Sequence, residues 1–542
     1  PTLAESPLTP DSEQSAALQA LRQVQAGFHC FLLEGITGSG KTEVYLQRIA
    51  EVLAEGKQVL VLVPEINLTP QTITRFSRRF NARIVAFHSG LTEKQRLQGW
   101  LEARNGSAHI VIGTRSAVFT PLAKPGLIVI DEEHDDSYKQ QEGFRYSARD
   151  VAIYRASMLK IPVLLGSATP SLESLHNALS GRYRLLRLTR RAGIAKLPEV
   201  KLFDLKMQQS HAGISELLQQ QIADTLHANQ QVLVFINRRG FAPMLLCRDC
   251  GWIAECSRCE RSFTLHRQPS ALRCHHCDAQ KPVPRNCPQC GSSALDATGL
   301  GTERSADYLA GLFPDYPVLR IDRDSTRTQG RLEQLMQTVH SGIPCIVVGT
   351  QMVAKGHHFP NVSLAAVLDA DSGLFSADFR AQENLGQLLT QVAGRAGRGD
   401  IAGKVIVQTY HPRHPTLLQL VQEGYGNFAR ALLNERAQGH LPPFVHFVLV
   451  RAEAGNQALP LELLRELATS LLQHAPRELK LFGPMPSPFG KKAGLFRAQL
   501  ILQAPRRSTL QKAGTHITAW LETAPLARKV RWLVDVDPID FS

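Results

Sequence analysis

The octapeptide Gly35–Thr42, Gly-Ile-Thr-Gly-Ser-Gly-Lys-Thr, constrains this chain more than any other segment. It follows the apolar run Phe31-Leu32-Leu33 and precedes the helix-like Glu43-Val44-Tyr45-Leu46. A G-x-x-x-x-G-K-T loop between a strand and a helix points glycine N–H groups at phosphate oxygens. It therefore demands an α/β fold and predicts a nucleoside triphosphate site. Gly35, Gly38 and Gly40 line the phosphates, Lys41 neutralises the β/γ-phosphates, and the Thr42 hydroxyl ligates Mg²⁺.

The rest of the chain has the alternating pattern such a loop needs. Short apolar runs separated by helical stretches, among them 59–63, 110–112, 127–130 and 163–165, predict a parallel sheet over residues 11–195. A second α/β region, 196–445, includes apolar runs at 232–236, 345–348 and 404–407 and is interrupted by a Cys-rich insert at 243–296. Runs at 447–450, 499–502 and 530–534 predict a small α+β domain over 446–542, and residues 1–10 read as a linker. No apolar stretch approaches the roughly 20 residues that span a bilayer, so no membrane partner is expected. The start shows neither a signal peptide nor an initiating Met, so the chain is expected to be a fragment.

Asp131-Glu132-Glu133-His134 follows the strand-like run 127–130 directly. A carboxylate at a strand's C-terminal end can meet the Mg²⁺ beside a phosphate loop, which suits Asp131. Glu132 is then the candidate base for the attacking water. In the second α/β region, Gln391-Val392-Ala393-Gly394-Arg395-Ala396-Gly397-Arg398 presents two arginines three apart on one face. Arg395 and Arg398 are the cations a γ-phosphate transition state needs from a second domain, with Gln391 in the same motif.

Four C-x-x-C pairs, Cys247/Cys250, Cys256/Cys259, Cys274/Cys277 and Cys287/Cys290, predict two structural zinc ions in closed Cys₄ sites. A nested pairing is favoured: the middle pairs enclose 14 residues, while a sequential pairing leaves only five between Cys250 and Cys256. Disulfides are the competing use, disfavoured in a long intracellular-type ATPase. The formal charge of +13 leans towards a polyanion. Eight thiolates and two divalent ions would change it by −4, to +9, and the lean survives. Arg248, Arg258, Arg261, His266, Arg267 and Arg273 make the insert basic, a surface for DNA near a junction or for a partner protein. After the acidic motif, the segment 137–146 interleaves Tyr138, Lys139, Phe144, Arg145 and Tyr146, aromatics that can stack on bases and cations that can sit on phosphates.

The phosphate loop, the acidic motif and the arginine motif, in this order, resemble a superfamily 2 helicase of the D-E-x-H type. Leu62–Glu65, Gly113–Ser116, Gly166–Pro170, Phe235–Gly240 and Gly349–Phe359 resemble its intervening motifs. With Asp131–Asp135, the Cys-rich insert, Gly299–Glu303 and Leu441-Pro442-Pro443, the whole chain resembles the PriA family of bacterial primosomal replication-restart helicases. That resemblance implies two RecA-like lobes, ATP, Mg²⁺ and Zn²⁺ as cofactors, and a bacterial cytoplasmic setting. It implies forked and single-stranded DNA as substrate and 3′ to 5′ movement. Single-stranded DNA-binding protein, primosome proteins and the helicase loader are the implied partners. Gln14 sits where the superfamily's adenine-reading glutamine stands. Thr114, Arg115, Thr350 and Lys355 are candidate contacts to one strand's backbone. Lys491, Lys492, Arg497, Arg506 and Arg507 are candidates for DNA or an acidic tail. Nothing in the chain corresponds to the family's N-terminal DNA-binding region. An RNA helicase and an ATP-switched, fork-binding assembly platform remain open as alternatives.

Overall fold

The computed structural model describes residues 2–23, 27–64, 70–88, 90–191, 198–207, 210–236, 244–247, 249–250, 252, 254–258, 263–267, 270–274, 279–298, 302–322, 325, 330–350, 353, 359, 361–376, 378–397, 403–474 and 476–541. Its contacts divide into two compact units, residues 1–237 with 302–433, and residues 238–301 with 434–542. Among the described residues, no helix is long and apolar enough to cross a membrane.

The first unit contains two parallel sheets. Elements of the first lobe used below are α1 (Ser12–Arg22), β1 (Cys30–Gly35), α2 (Lys41–Ala54), β2 (Pro125–Asp131), β3 (Val163–Ser167) and α3 (Leu172–Leu179). Their sheet runs in the order Ile84–Phe87, Ile110–Gly113, Gln58–Leu62, β2, β3, β1, Arg184–Leu188. All pairings in it are parallel. The central strands are apolar at nearly every position because both faces are covered. Phe31, Leu33, Val59, Val61 and Val129 pack into one core, and Leu32, Leu60, Leu62, Ile128 and Ile130 into another on the opposite face.

The second lobe has the sheet order Glu199–Asp204, Lys404–Thr409, Val362–Val367, Gln231–Phe235, Ile346–Gly349, Val318–Ile321, again all parallel. Its helix α4 (Ala381–Ala393) leads into the arginine motif.

Of residues 1–10, expected as a linker, the stretch 2–8 is strapped to the first lobe. Thr2–Leu3 pairs antiparallel with Phe80–Asn81, the Leu8 N–H donates to Glu43 (3.2 Å), and Arg79 donates to the Ser6 carbonyl (3.0 Å). The buried Arg79–Glu43 ion pair at 2.5 Å anchors this strap. Short-range composition could not show this, because the partners lie 35 to 79 residues away.

In the second unit, the Cys-rich insert forms an antiparallel sheet in the order Gln280–Lys281, Ser270–Arg273, Thr264–Arg267, Met244–Cys247, Leu295–Thr298. Chain order puts this insert inside the second lobe, yet its contacts group it with 434–542. The C-terminal domain is a four-stranded antiparallel sheet, Lys480–Lys492, Leu495–Ala504, His446–Ala454, Arg531–Val536. Helices Ala458–His474 and Arg507–Thr523 pack on it around Val448, Val450, Leu500, Leu502, Leu467 and Ile517.

Candidate nucleotide site and strand-binding cleft

The phosphate loop bends between β1 and α2. Gly38 and Gly40 take φ of 85° and 81°, a left-handed backbone that side chains other than glycine resist. Lys41 is the first residue of α2, so the helix's unpaired N–H groups and positive dipole end face the loop. Its Nζ donates to the Gly35 carbonyl at 2.8 Å, and Thr42 follows it in the first turn. Gln14, expected to read adenine, is buried in α1 with both ends of its amide used internally. Its Nε2 donates to the Ser39 carbonyl (2.9 Å), and its Oε1 accepts from Asp11 N–H (3.0 Å). In this structure Gln14 braces the phosphate loop.

The acidic motif turns sharply at the end of β2. Glu132 sits at φ 47°, a strained conformation for a residue with a Cβ. The turn sends successive carboxylates to different partners. Asp131 Oδ1 accepts from the buried Tyr45 hydroxyl at 3.1 Å. Burial, and then the neighbouring Glu132, push the Asp131 carboxyl up to about 6 despite the opposing pull of Lys41. A half-buried carboxylate beside a second acidic group suits a divalent cation. Glu132 Oε2 is buried and makes no hydrogen bond within the protein, 3.7 Å from His134 Nδ1. Glu133 faces the start of α3, accepting from Ser171 N–H (2.7 Å) and Ser174 Oγ (2.7 Å) and pairing with Arg149 (3.1 Å). It is a structural carboxylate.

His134 joins three motifs. Its Nδ1 lies 2.7 Å from the Ser167 hydroxyl at the end of β3, and its Nε2 lies 2.5 Å from the Gln391 amide nitrogen of α4. The second lobe also reaches the phosphate loop: a Cβ on Gly394 would fall 2.5 Å from Thr37 Oγ1, so only glycine permits this approach. Arg191 donates to the Gly397 carbonyl at 2.9 Å. Arg395 is half-buried just beyond α4, and Arg398 lies outside the described residues.

The segment after the acidic motif closes as a loop. Lys139 bridges Ser147, and Gln140 N–H donates to the Tyr146 carbonyl (2.8 Å). Tyr138, expected to stack on bases, is only 2% exposed; its hydroxyl donates to the Asp131 carbonyl at 2.6 Å. Burial of Lys139 likewise removes it from the surface. Arg115, expected on a phosphate, donates to the carbonyls of Ser137 (3.1 Å) and Lys139 (3.3 Å) and so holds the base of the loop. Phe144 is 79% exposed and stacks on Tyr146 at 5.9 Å, which meets Phe119 edge-on at 4.9 Å. These rings, with Trp100, Thr114 and Arg115, line a cleft of about 600 Å³. Sequence reasoning missed Trp100 and Phe119. The signal for Trp100 was an apolar stripe, Leu97, Trp100 and Leu101, that stays exposed on the helix Glu93–Asn105. Arg145 is half-buried and Thr350 is buried directly after the strand Ile346–Gly349; Lys355 lies outside the described residues.

In the insert, Cys247, Cys250, Cys287 and Cys290 bring their sulfurs within 4.8 Å of one another, with closest approaches of 3.6 Å. Disulfide sulfurs would stand about 2.05 Å apart, whereas tetrahedral zinc with bonds of about 2.3 Å separates its sulfurs by roughly 3.8 Å. The quartet therefore fits zinc. Cys256 and Cys274 are buried in the insert's core, and Cys259 and Cys277 lie outside the described residues. Arg258, counted in the basic surface expected to meet DNA or a partner protein, donates to the Ala493 carbonyl at 3.2 Å. Arg497 is buried against Glu453 (2.9 Å), while Arg506 and Arg507 pair with Glu478 (2.7 Å) and Asp537 (3.0 Å).

Three family models match the chain: a DEAD/DEAH box helicase over residues 12–178, the PriA DNA helicase Cys-rich region domain over 256–282, and the primosomal protein N C-terminal domain over 437–539. The replication restart protein PriA of Haemophilus influenzae is 51% identical over 540 residues, covering 99% of this chain and 73% of that protein. The chain belongs to the PriA family. The Bacillus subtilis PriA is 40% identical over 509 residues, and the match covers 93% of this chain and 63% of that protein. A solved structure of the DUF1998 helicase MrfA bound to DNA is 14% identical at a TM-score of 0.49, covering 77% of this chain and 51% of its own. PriA proteins are replication restart helicases. The helicase domain of this member implies a nucleotide and Mg²⁺, and its Cys-rich region, with the four clustered sulfurs, points to zinc.

Proposed function

We propose that this chain is an ATP-driven DNA motor that opens stalled forks and D-loops, moving 3′ to 5′, so that a primosome can assemble and replication restart. The contact of Gln391 with His134, beside the approach of Gly394 to Thr37, carries the reading. A motor needs a hydrolytic site whose completion depends on how two lobes meet. Lys41 draws the β- and γ-phosphates against the α2 N-terminus, and Thr42 and Asp131 hold the cation. Mg²⁺ bound there neutralises charge on the β/γ-phosphate oxygens. Glu132 orients and deprotonates the attacking water. Arg395 and Arg398 meet the charge that develops on the γ-phosphoryl group. Phe144 and its cleft grip one strand, and the loop they share with Tyr138 passes that grip to Asp131.

Two structural zinc ions, one in the Cys247/Cys250/Cys287/Cys290 site and one in the Cys256/Cys259/Cys274/Cys277 site, hold the insert. The protein partners are single-stranded DNA-binding protein, primosome proteins and the helicase loader, and the setting is the bacterial cytoplasm. The test is ATP hydrolysis by the chain with no nucleic acid, with single-stranded DNA and with matched RNA, alongside Lys41→Ala. DNA is expected to stimulate turnover and RNA not, and Lys41→Ala is expected to lose at least about 100-fold. Equal stimulation by RNA would sink the DNA reading. No stimulation by either would favour an assembly platform.

A further inference from the structure

One face of α4 carries Glu383, Gln387 and Gln391, four residues apart and all buried. Buried polar side chains in a helix interior need partners, and this stripe finds them in the first lobe. Gln391 meets His134. The Gln387 amide lies 3.5 Å from the Thr169 carbonyl. Glu383 accepts from the Leu172 N–H at 2.9 Å, across 211 residues of sequence. Leu172 opens α3, so its N–H has no partner within its own helix. Two carboxylates thus cap one helix start: Glu133 in the acidic motif takes Ser171 N–H, and Glu383 in the other lobe takes Leu172 N–H. Two further contacts flank this seam. Arg380 pairs with Glu173 at 2.9 Å, and the Tyr425 hydroxyl donates to the Pro170 carbonyl at 2.8 Å.

We infer that Glu383 and Arg380 are positioning residues for ATP hydrolysis. They latch the second lobe to the start of α3 and, through Ser171 and Glu133, fix the turn that carries Asp131 and Glu132. When the lobes part, the Leu172 N–H and the Glu383 carboxylate must both be hydrated. The seam therefore has two discrete states, bonded and open, and its bonded state is the one in which the acidic turn is held from both sides. This inference rests on the reading of the chain as a DNA-stimulated ATPase.

Hydrogen exchange of the Leu172 amide, measured without nucleotide, reads the latch separately from activity. Glu383→Ala is expected to accelerate that exchange at least about tenfold. It should also cut DNA-stimulated kcat about tenfold or more, with the KM for ATP held within about twofold. Glu383→Gln keeps an acceptor oxygen and should restore both. Unchanged Leu172 exchange in Glu383→Ala overturns the latch, and faster exchange with undiminished kcat overturns the positioning role. Should Glu383→Ala fail to fold, the ion pair decides: Arg380→Glu should lose stimulated turnover and Arg380→Glu with Glu173→Arg should regain it. Equal loss in both overturns the inference. If DNA fails to stimulate the wild-type chain, the functional reading and the positioning role fall together, while Leu172 exchange still decides the contact.

Discussion

Tyr138 and Phe144 lie six residues apart in one loop and answer to different physics. The buried Tyr138 hydroxyl donates to the Asp131 carbonyl, so Tyr138→Phe removes that hydrogen bond from the turn. A loss of about 1–3 kcal/mol in stability is expected from denaturant unfolding, with no direct loss of stacking on DNA. Phe144 is almost wholly exposed, so Phe144→Ala should change stability by no more than about 0.5 kcal/mol. Stacking on one base contributes about 1–3 kcal/mol, so the same substitution should weaken single-stranded DNA binding roughly 5- to 150-fold. It should lower DNA-stimulated hydrolysis far more than basal hydrolysis. Equal loss of both rates would refute a coupling role for the ring, and a large stability loss would show that it packs inside the fold.

At the scale of elements, the Cys-rich sheet has a small apolar core centred on Leu245, Phe263 and Leu272. Bound zinc would add to what such a core supplies. Chelation at neutral pH is expected to release two zinc ions per chain and to abolish amide protection in the strands Met244–Cys247 and Leu295–Thr298. Cys250→Ser should reduce the content from two ions to one; a content of one in the wild-type chain would refute the second site. The paired cysteines, the phosphate loop and the apolar strands of both lobes were legible in the sequence because each is a local pattern within about ten residues. The strap of residues 2–8, the internal duties of Gln14 and Arg115, and the α4 stripe were not. Each depends on a partner far along the chain, and a polar residue bonded inside looks in sequence like one facing solvent. Glu383-x-x-x-Gln387-x-x-x-Gln391 did carry a helical period, but polar periods usually mark a solvated face.

At the scale of the whole molecule, the proposed motor divides its hydrolytic residues between two lobes, which would make turnover and lobe closure one event. Asp131 and Glu132 belong to the first lobe, while Gln391 and Arg395 come from the second. A variant that binds ATP but cannot activate water should then hold the closed state and keep its grip on the strand. Glu132→Gln makes that variant, because the amide preserves shape and removes the base. Its hydrolysis should fall about 10²- to 10⁴-fold. Strand contacts in such a motor are largely to phosphates, whose affinity falls steeply with salt. In the presence of ATP, single-stranded DNA should therefore stay bound to Glu132→Gln at salt concentrations that release it from the wild-type chain, and without ATP the two should release alike. If Glu132→Gln lost hydrolysis yet released DNA at the same salt as wild type with ATP present, closure and grip would be separate events. The motor reading would then give way to an ATPase that switches partners without stepping.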